Sequence, residues 1–228
     1  MPSTVHVRVY VDGFNFYYGC ARRLGIKWID ILRLCELSLP SHYQIEYIRY
    51  FTAIVGDPNA AARHHIYLRA LRTLPNFEAH FGTFLVNPKE LPLQTAKPAV
   101  THVEVVTTNG PQTLPLATPI PEQKTAVVIK SEEKGSDVNL ASYLLLDAFN
   151  NAFDKAVVIS DDSDLAEPIR ITRKTFHRDV IVLSPRNQYS LRSAATKFWA
   201  IQSPNVVAST FPAVMTDALG TFHKPASW

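Results

Sequence analysis

Hydrophobic and polar positions change rhythm several times along the 228 residues. Residues 5–11 (VHVRVYV) alternate valines with His6, Arg8 and Tyr10, the two-residue period of a strand, and Asp12-Gly13 ends the run. Phe14 to Tyr18 opens a helix. Trp28 to Leu39 has helical spacing and stops before Pro40, because the residue ahead of a proline is pushed out of helical backbone. Residues 45–55 (IEYIRYFTAIV) are β-branched and aromatic and predict a second strand. Gly56-Asp57-Pro58 is a helix start for Asn59 to Pro75, and Phe77 to Val86 reads as another strand. Prolines at 88, 92, 98, 111, 115, 119 and 121 then change the texture. With the strand-like His102 to Thr107 and the Asn109-Gly110 turn signal, residues 87–121 read as a hairpin-bearing insertion or flap that its prolines keep from being helical. Ala126 to Lys130 is expected to return to the sheet.

The second half is organised around residues 130–170. Val138, Leu140, Ala141, Leu144, Leu145 and Ala148 recur at helical spacing. Ala156 to Ile159 is an unbroken apolar run ending in Ser160-Asp161-Asp162-Ser163-Asp164, and such a run predicts a strand buried on both faces of a parallel sheet. A helix over 163–178, a strand at Val180 to Leu183, a helix from Ser190 to about Lys197 and a short apolar piece, Phe198 to Gln202, follow. The tail from Phe211 to Trp228 has weak periodicity and is expected to be loosely held. Strand–helix alternation predicts an α/β layered fold with a mostly parallel sheet. Right-handed crossovers would gather the ends of strands 5–11, 126–130 and 156–160 on one edge. The expected organisation is one domain over 1–202, interrupted at about 87–121, and a C-terminal tail over 203–228.

Composition narrows the classes. Hydrophobic content of 46% with 19% charged residues is ordinary for a globular chain, and a net charge of +3 is compatible with nucleic acid without indicating it. No apolar run is long enough to cross a bilayer. Residues 1–13 show no basic region followed by an apolar stretch, so no secretory leader is expected and a cytoplasmic setting is. Cys20 and Cys35 sit in apolar surroundings and read as buried free thiols, without the pair spacing of a zinc site.

The chemistry lies in aspartates. Asp12, Asp137, Asp162 and Asp164 follow strand ends or begin helices, which is where open α/β sheets bind ligands. Each has a plainer reading alone: Asp12 as a turn residue, Asp137 as a helix cap with Ser136, and Asp162-Ser163-Asp164 with Glu167 as a capping box. Gathered together they would repel, and a divalent cation removes that conflict. All-oxygen ligands suit Mg²⁺ or Mn²⁺, which can ready a water against a phosphodiester. Asn15 could orient that water or a phosphate oxygen. Asp161 is expected in solvent or behind the ligands, and Glu133 as a solvated residue near Asp137.

The segments VYVDGFNFYYG, EEKGSDVNLASYLLLDAF and AVVISDDSDLAEPIR, in that order, resemble the NYN family of PIN-like nucleases, including its LabA-like members, over roughly residues 5 to 200. The resemblance implies a PIN-like three-layer α/β/α sandwich and metal-dependent cleavage of RNA, single-stranded or structured, with Mg²⁺ or Mn²⁺. Asp12 and Asn15 match the first-strand motif, Asp137 the K-G-x-D segment, and Asp162 and Asp164 the S-G-D-S-D segment. Asp161 departs from that pattern by standing where glycine is common.

An RNA substrate needs cations for phosphates and rings for bases. Lys134 and Arg186 follow strands and are the expected phosphate contacts. Phe14, Phe16 and Tyr17 suit stacking, although packing against the sheet explains them more simply. The alternative is a catalytically silent PIN-like module that binds RNA or protein, against which the concentrated carboxylates speak. A HAD-type phosphohydrolase would carry a second aspartate two residues after Asp12, and Phe14 stands there. A homo-oligomer is compatible with all of these readings, and no sequence feature fixes one.

Overall fold

The computed structural model describes residues 4–92, 102–107, 110–115 and 124–228. In chain order its elements are strand β1 (Val5–Asp12); helix α1 (Gly13–Phe16), a π-helical turn (Tyr17–Ala21) and α2 (Arg22–Leu24); α3 (Ile31–Ser38); β2 (Tyr43–Thr52); α4 (Pro58–Leu71); β3 (Phe77–Phe81); and β4 (Thr83–Pro92). There follow β5 (His102–Thr107), β6 (Gly110–Pro115), β7 (Thr125–Lys134), α5 (Ser136–Phe149), β8 (Lys155–Ile159), a 3₁₀ turn (Ser163–Leu165), α6 (Ala166–Lys174), β9 (Asp179–Ser184), β10 (Lys197–Ala200), α7 (Ser203–Ala208), β11 (Val214–Asp217) and β12 (Gly220–His223).

Six strands form the central sheet in the order β10-β9-β8-β1-β2-β3, and each neighbouring pair is parallel. The two-residue period divides its side chains between two cores. Val7, Val9, Val11, Val157 and Ile159 face one side, where Leu34, Leu68 and Val206 from helices and Trp28 from the segment between α2 and α3 pack. Tyr10, Ala156, Val158, Val180 and Val182 face the other, against Leu140, Leu144 and Ala148 of α5 and Ile169 of α6. The result is the expected three-layer α/β/α arrangement. Asp30 and Asp57 begin α3 and α4 by accepting from Arg33 N and Ala60 N, caps worth about 1 kcal/mol each. Ala156 to Ile159 is fully buried, as an unbroken apolar run requires.

Several expectations are corrected. Ala126 to Lys130 does not return to the central sheet: β7 pairs with β4 in a separate two-stranded sheet. The single strand expected over Phe77 to Val86 is two, broken at Gly82. The Gly82 N–H donates to Thr52 O at 2.8 Å, and a Cβ there would lie 2.5 Å from Lys134 O, so only glycine fits. The helix expected from Ser190 to Lys197 is a run of turns closed by Ala194 N and Ala195 N on Leu191 O, and the apolar piece after it is the edge strand β10. The tail is packed rather than loose: Phe211 and Phe222 are buried around Trp28, whose Nε1 donates to Pro212 O at 2.8 Å, and Arg69 grips Asp217 through two bonds of 2.7 Å.

The chain forms two compact units, 1–84 with 133–228, and 85–132. Within the second, β5 and β6 make an antiparallel hairpin with Thr107 opposite Gly110. Other parts of the proline-rich stretch, residues 93–101, 108–109 and 116–123, lie outside the described residues. Among the described residues no helix is long and apolar enough to cross a membrane.

Candidate active site

Three elements deliver one carboxylate each. Asp12 is the last residue of β1, Asp137 is the second residue of α5, and Asp162 begins the 3₁₀ turn after β8. Parallel pairing of β1 with β8 brings Val11 beside Ile159, so the two strands end together. Asp12, Asp137 and Asp162 each offer an oxygen within 4.8 Å of the others, the only such metal-competent group among the described residues. Asp164 stands outside this trio. Its N–H donates to Asp162 Oδ1 at 3.0 Å, and its charge reaches Asp137.

The trio is short of positive charge. Asp12 is 5% exposed; its Oδ1 accepts from Asn15 N at 2.9 Å and its Oδ2 from the Ser160 hydroxyl at 2.8 Å. Burial pushes its pKa up to about 7, the two hydrogen bonds oppose that rise, and the Asp137 and Asp162 charges add to it. Asp137 rises to about 6, through burial first and then the charges of Asp162, Glu133 and Asp164. None of the three forms an ion pair among the described residues. The capping role open to Asp137 falls instead to Glu133, whose Oε1 accepts from Ser136 N at 3.1 Å and Ser136 Oγ at 2.7 Å. Asp162 does both jobs, capping its turn and joining the trio. An oxygen-only cluster with unbalanced charge fits a hard divalent cation.

Around the trio, Asn15 Oδ1 accepts from Asp161 N at 3.1 Å and from Arg186 at 3.4 Å, and its amide nitrogen makes no hydrogen bond among the described residues. Asp161 is the residue whose part the sequence does not reveal. It is 4% exposed, not solvated, and accepts from the Ser184 hydroxyl and from Arg186 N at 2.7 Å, with Arg186 Nε at 3.6 Å. It thereby fixes the start of the loop after β9 and holds a half-exposed guanidinium beside Asn15. Lys134 ends β7 and is exposed. Of the three rings near Asp12, Phe16 is core, whereas Phe14 and Tyr17 line a cavity next to Gly13. The π-helical turn follows directly, a distortion frequently found at functional sites.

Comparison with known proteins adds family context. The family model for the NYN domain matches residues 105–202. The chain is 32% identical over 256 aligned positions to 6-hydroxy-3-succinoylpyridine 3-monooxygenase HspA of Pseudomonas putida, an alignment spanning 98% of this chain and 75% of that protein. Among solved structures, a protein of unknown function from Vibrio parahaemolyticus is similar in fold, with a TM-score of 0.52 and 17% identity over 89% of this chain and 96% of that one.

Proposed function

Because the chain belongs to the NYN domain family, we propose that it is a metal-dependent ribonuclease in which Asp12, Asp137 and Asp162 hold Mg²⁺ or Mn²⁺ and RNA is the substrate. The observation that carries this reading is the convergence of three carboxylates from three separate elements, with no basic side chain paired to them among the described residues. A binding surface for RNA gains nothing from concentrated negative charge, whereas a site that must recruit a metal ion does. When bound, such an ion would supply charge stabilisation at phosphate oxygens and lower the pKa of water.

The chain's own residues would do the rest. Asp12 and Asp162 are held by Asn15 N, Ser160 Oγ and Asp164 N, so their oxygens are oriented before any ligand arrives. Asp164 would add charge at the rim of the trio. The amide nitrogen of Asn15 and the guanidinium that Asp161 fixes would contact non-bridging phosphate oxygens, with Arg186 carrying the charge. Lys134 would contact the RNA backbone further along. A cytoplasmic setting accords with this substrate.

The test is cleavage of labelled single-stranded and hairpin RNAs with Mn²⁺ or Mg²⁺. Cutting should stop in chelator, and Asp162→Asn should lose about 100-fold or more in kcat/KM, the scale of removing one charge-stabilising group. Cutting that persists undiminished in Asp162→Asn would assign it to another site or to a contaminant.

One observation favours a second reading. The HspA relative is named as a monooxygenase acting on a pyridine, and it aligns along almost the whole of this chain. One fold can carry unrelated chemistries. Ring hydroxylation would consume O₂ and two electrons from a reduced nicotinamide or flavin, placing one oxygen on the ring and releasing the other as water. Substrate-dependent NADH oxidation with a hydroxypyridine acid, unaffected by Asp162→Asn, would favour it over the nuclease.

A further inference from the structure

The side chains that line the cavity beside Gly13 differ in character from the carboxylate trio. The cavity measures about 160 Å³, close to the roughly 150 Å³ that accommodates a benzene ring in a protein interior. Its walls are aromatic, with Tyr17, Tyr50, Tyr67 and Trp228 among them, and Tyr67 meets Trp228 edge-on at 5.7 Å. No aspartate or glutamate among the described residues lines it. Lys27 and Arg63 do, both half-buried, and neither has an ion pair or hydrogen bond among the described residues. His64, which also lines it, is held neutral by burial, with a pKa near 4, and sits 3.4 Å from the Thr52 hydroxyl.

Tyr50 is the telling residue. It is 3% exposed, yet its hydroxyl makes no hydrogen bond among the described residues, whereas the hydroxyl of Tyr67 is spent on Ile29 O at 2.9 Å. That hydroxyl is not one of the fully buried unpartnered polar atoms, which are Arg8 Nε and Arg178 Nε among the described residues, so it opens into the cavity and can bond to whatever occupies it. Burial and the charge of Asp12 both keep that phenol protonated, so it is a donor. Gly13 sets the separation. A Cβ there would lie 2.8 Å from the Tyr50 ring and 2.7 Å from Phe51 O, so glycine lets the β1–α1 turn close against the tyrosine directly after Asp12.

The geometry points to a binding site for one six-membered heteroaromatic ring that bears an acceptor oxygen or nitrogen and an anionic substituent. The ring stacks among the aromatic walls, Tyr50 Oη donates to its polar edge, and Arg63 with Lys27 faces the anion. The volume is close to that of one ring, so a fused bicyclic ring should bind less well. Two ligand sources share this chemistry: the pyrimidine of a nucleotide, whose phosphate is the anion, and a free pyridine-type acid. The inference requires neither functional reading, because ring binding needs no metal ion and no turnover.

It is tested by calorimetric titration of the full chain in chelator with uridine 5′-monophosphate, 6-hydroxynicotinate and adenosine 5′-monophosphate. At least one monocyclic ligand should bind with sub-millimolar Kd and adenosine 5′-monophosphate at least ten-fold more weakly. Tyr50→Phe should weaken binding about three- to ten-fold, the range of one hydrogen bond. Arg63→Gln, a half-exposed change that spares the core, should weaken it by a similar factor. Preference for the nucleotide identifies a base pocket, preference for the pyridine acid identifies a small-molecule site, and equal binding still supports the ring site. No binding by either monocyclic ligand, or binding untouched by Arg63→Gln and by any folded Tyr50→Phe, overturns it. Loss of RNA cleavage with ring binding intact would sink the nuclease reading alone.

Discussion

Asp137 lies half-buried among like charges, and that has a cost that can be measured. Its pKa stands at about 6 in the folded chain, above the ordinary carboxylate value, because of burial and then the charges of Asp162, Glu133 and Asp164. A group whose folded pKa is raised binds its proton more tightly in the folded state. Its contribution is therefore full below about pH 4, the unfolded value, and is lost as pH climbs through 6. In chelator at pH 8, Asp137→Asn should be more stable than the parent chain by about 1–2 kcal/mol, a figure reduced for solvent screening, and at pH 4 the advantage should vanish. Urea melts at the two pH values measure it. A variant less stable at pH 8 would mean that Asp137 is held by favourable contacts rather than strained by its neighbours. This carboxylate and its two partners were legible in the sequence because each follows a strand end or begins a helix. Asp161 was not legible, since its partners Ser184 and Arg186 come more than twenty residues later and only the fold supplies them.

At the scale of elements, α5 is fastened to β1 and β2 by a polar knot on the apolar face of the sheet. Asp147 is buried and accepts from the Tyr10 hydroxyl at 2.7 Å and Arg49 Nε at 3.1 Å, while Arg8 approaches its Oδ1 to 3.0 Å. Burial raises the Asp147 pKa, but the hydrogen bonds from Arg49 and Tyr10 and the charges of Arg49 and Arg8 outweigh it and hold the carboxyl below its ordinary value. Asp147→Ala would leave the Arg8 guanidinium without a carboxylate and Arg49 with Glu78 alone, so it should cost about 3–5 kcal/mol in urea unfolding. The depressed pKa puts this stabilisation above the unfolded carboxylate value, so it fades as pH falls below about 4, and acid melts of the parent and variant should converge there. A loss under 1 kcal/mol would show that the arginines find water instead. Elements with a strong period, such as α5 and β8, were readable from sequence. The sheet partner of β7 was not: a run such as Ala126 to Lys130 states that it is a strand but not which edge it joins. The turns over 190–196 were missed for a related reason, because the apolar Leu191, Ala194 and Ala195 satisfy a helical spacing while serving to cover β9.

Across the whole molecule, the trio links positions 12, 137 and 162, which an unfolded chain does not hold together. A cation bound to all three therefore binds the folded state almost exclusively, and its binding free energy adds to stability. At a free ion concentration 100-fold above Kd the gain is about 2.7 kcal/mol. For a chain of this size each kcal/mol moves Tm by about 2–4 °C, so Mn²⁺ should raise it by about 5–10 °C over the protein in chelator. Asp162→Asn removes a ligand and should lose most of that shift. Arg63→Gln belongs to the aromatic cavity and should retain all of it, which separates ion binding at the trio from general salt effects. Potassium at matched ionic strength controls for screening. An equal Mn²⁺ shift in Asp162→Asn and the parent chain would place the ion elsewhere and leave the three carboxylates without the role assigned to them. The layered sheet that makes this linkage was foreseeable from strand–helix alternation. The packing of the C-terminal segment on Trp28 was not, because its anchors, Phe211, Phe222 and Trp228, follow no local period and find their place only against a surface built by distant residues. The same contacts put Trp228 in the wall of the aromatic cavity, so the Arg63 control also asks whether that wall and the trio act independently.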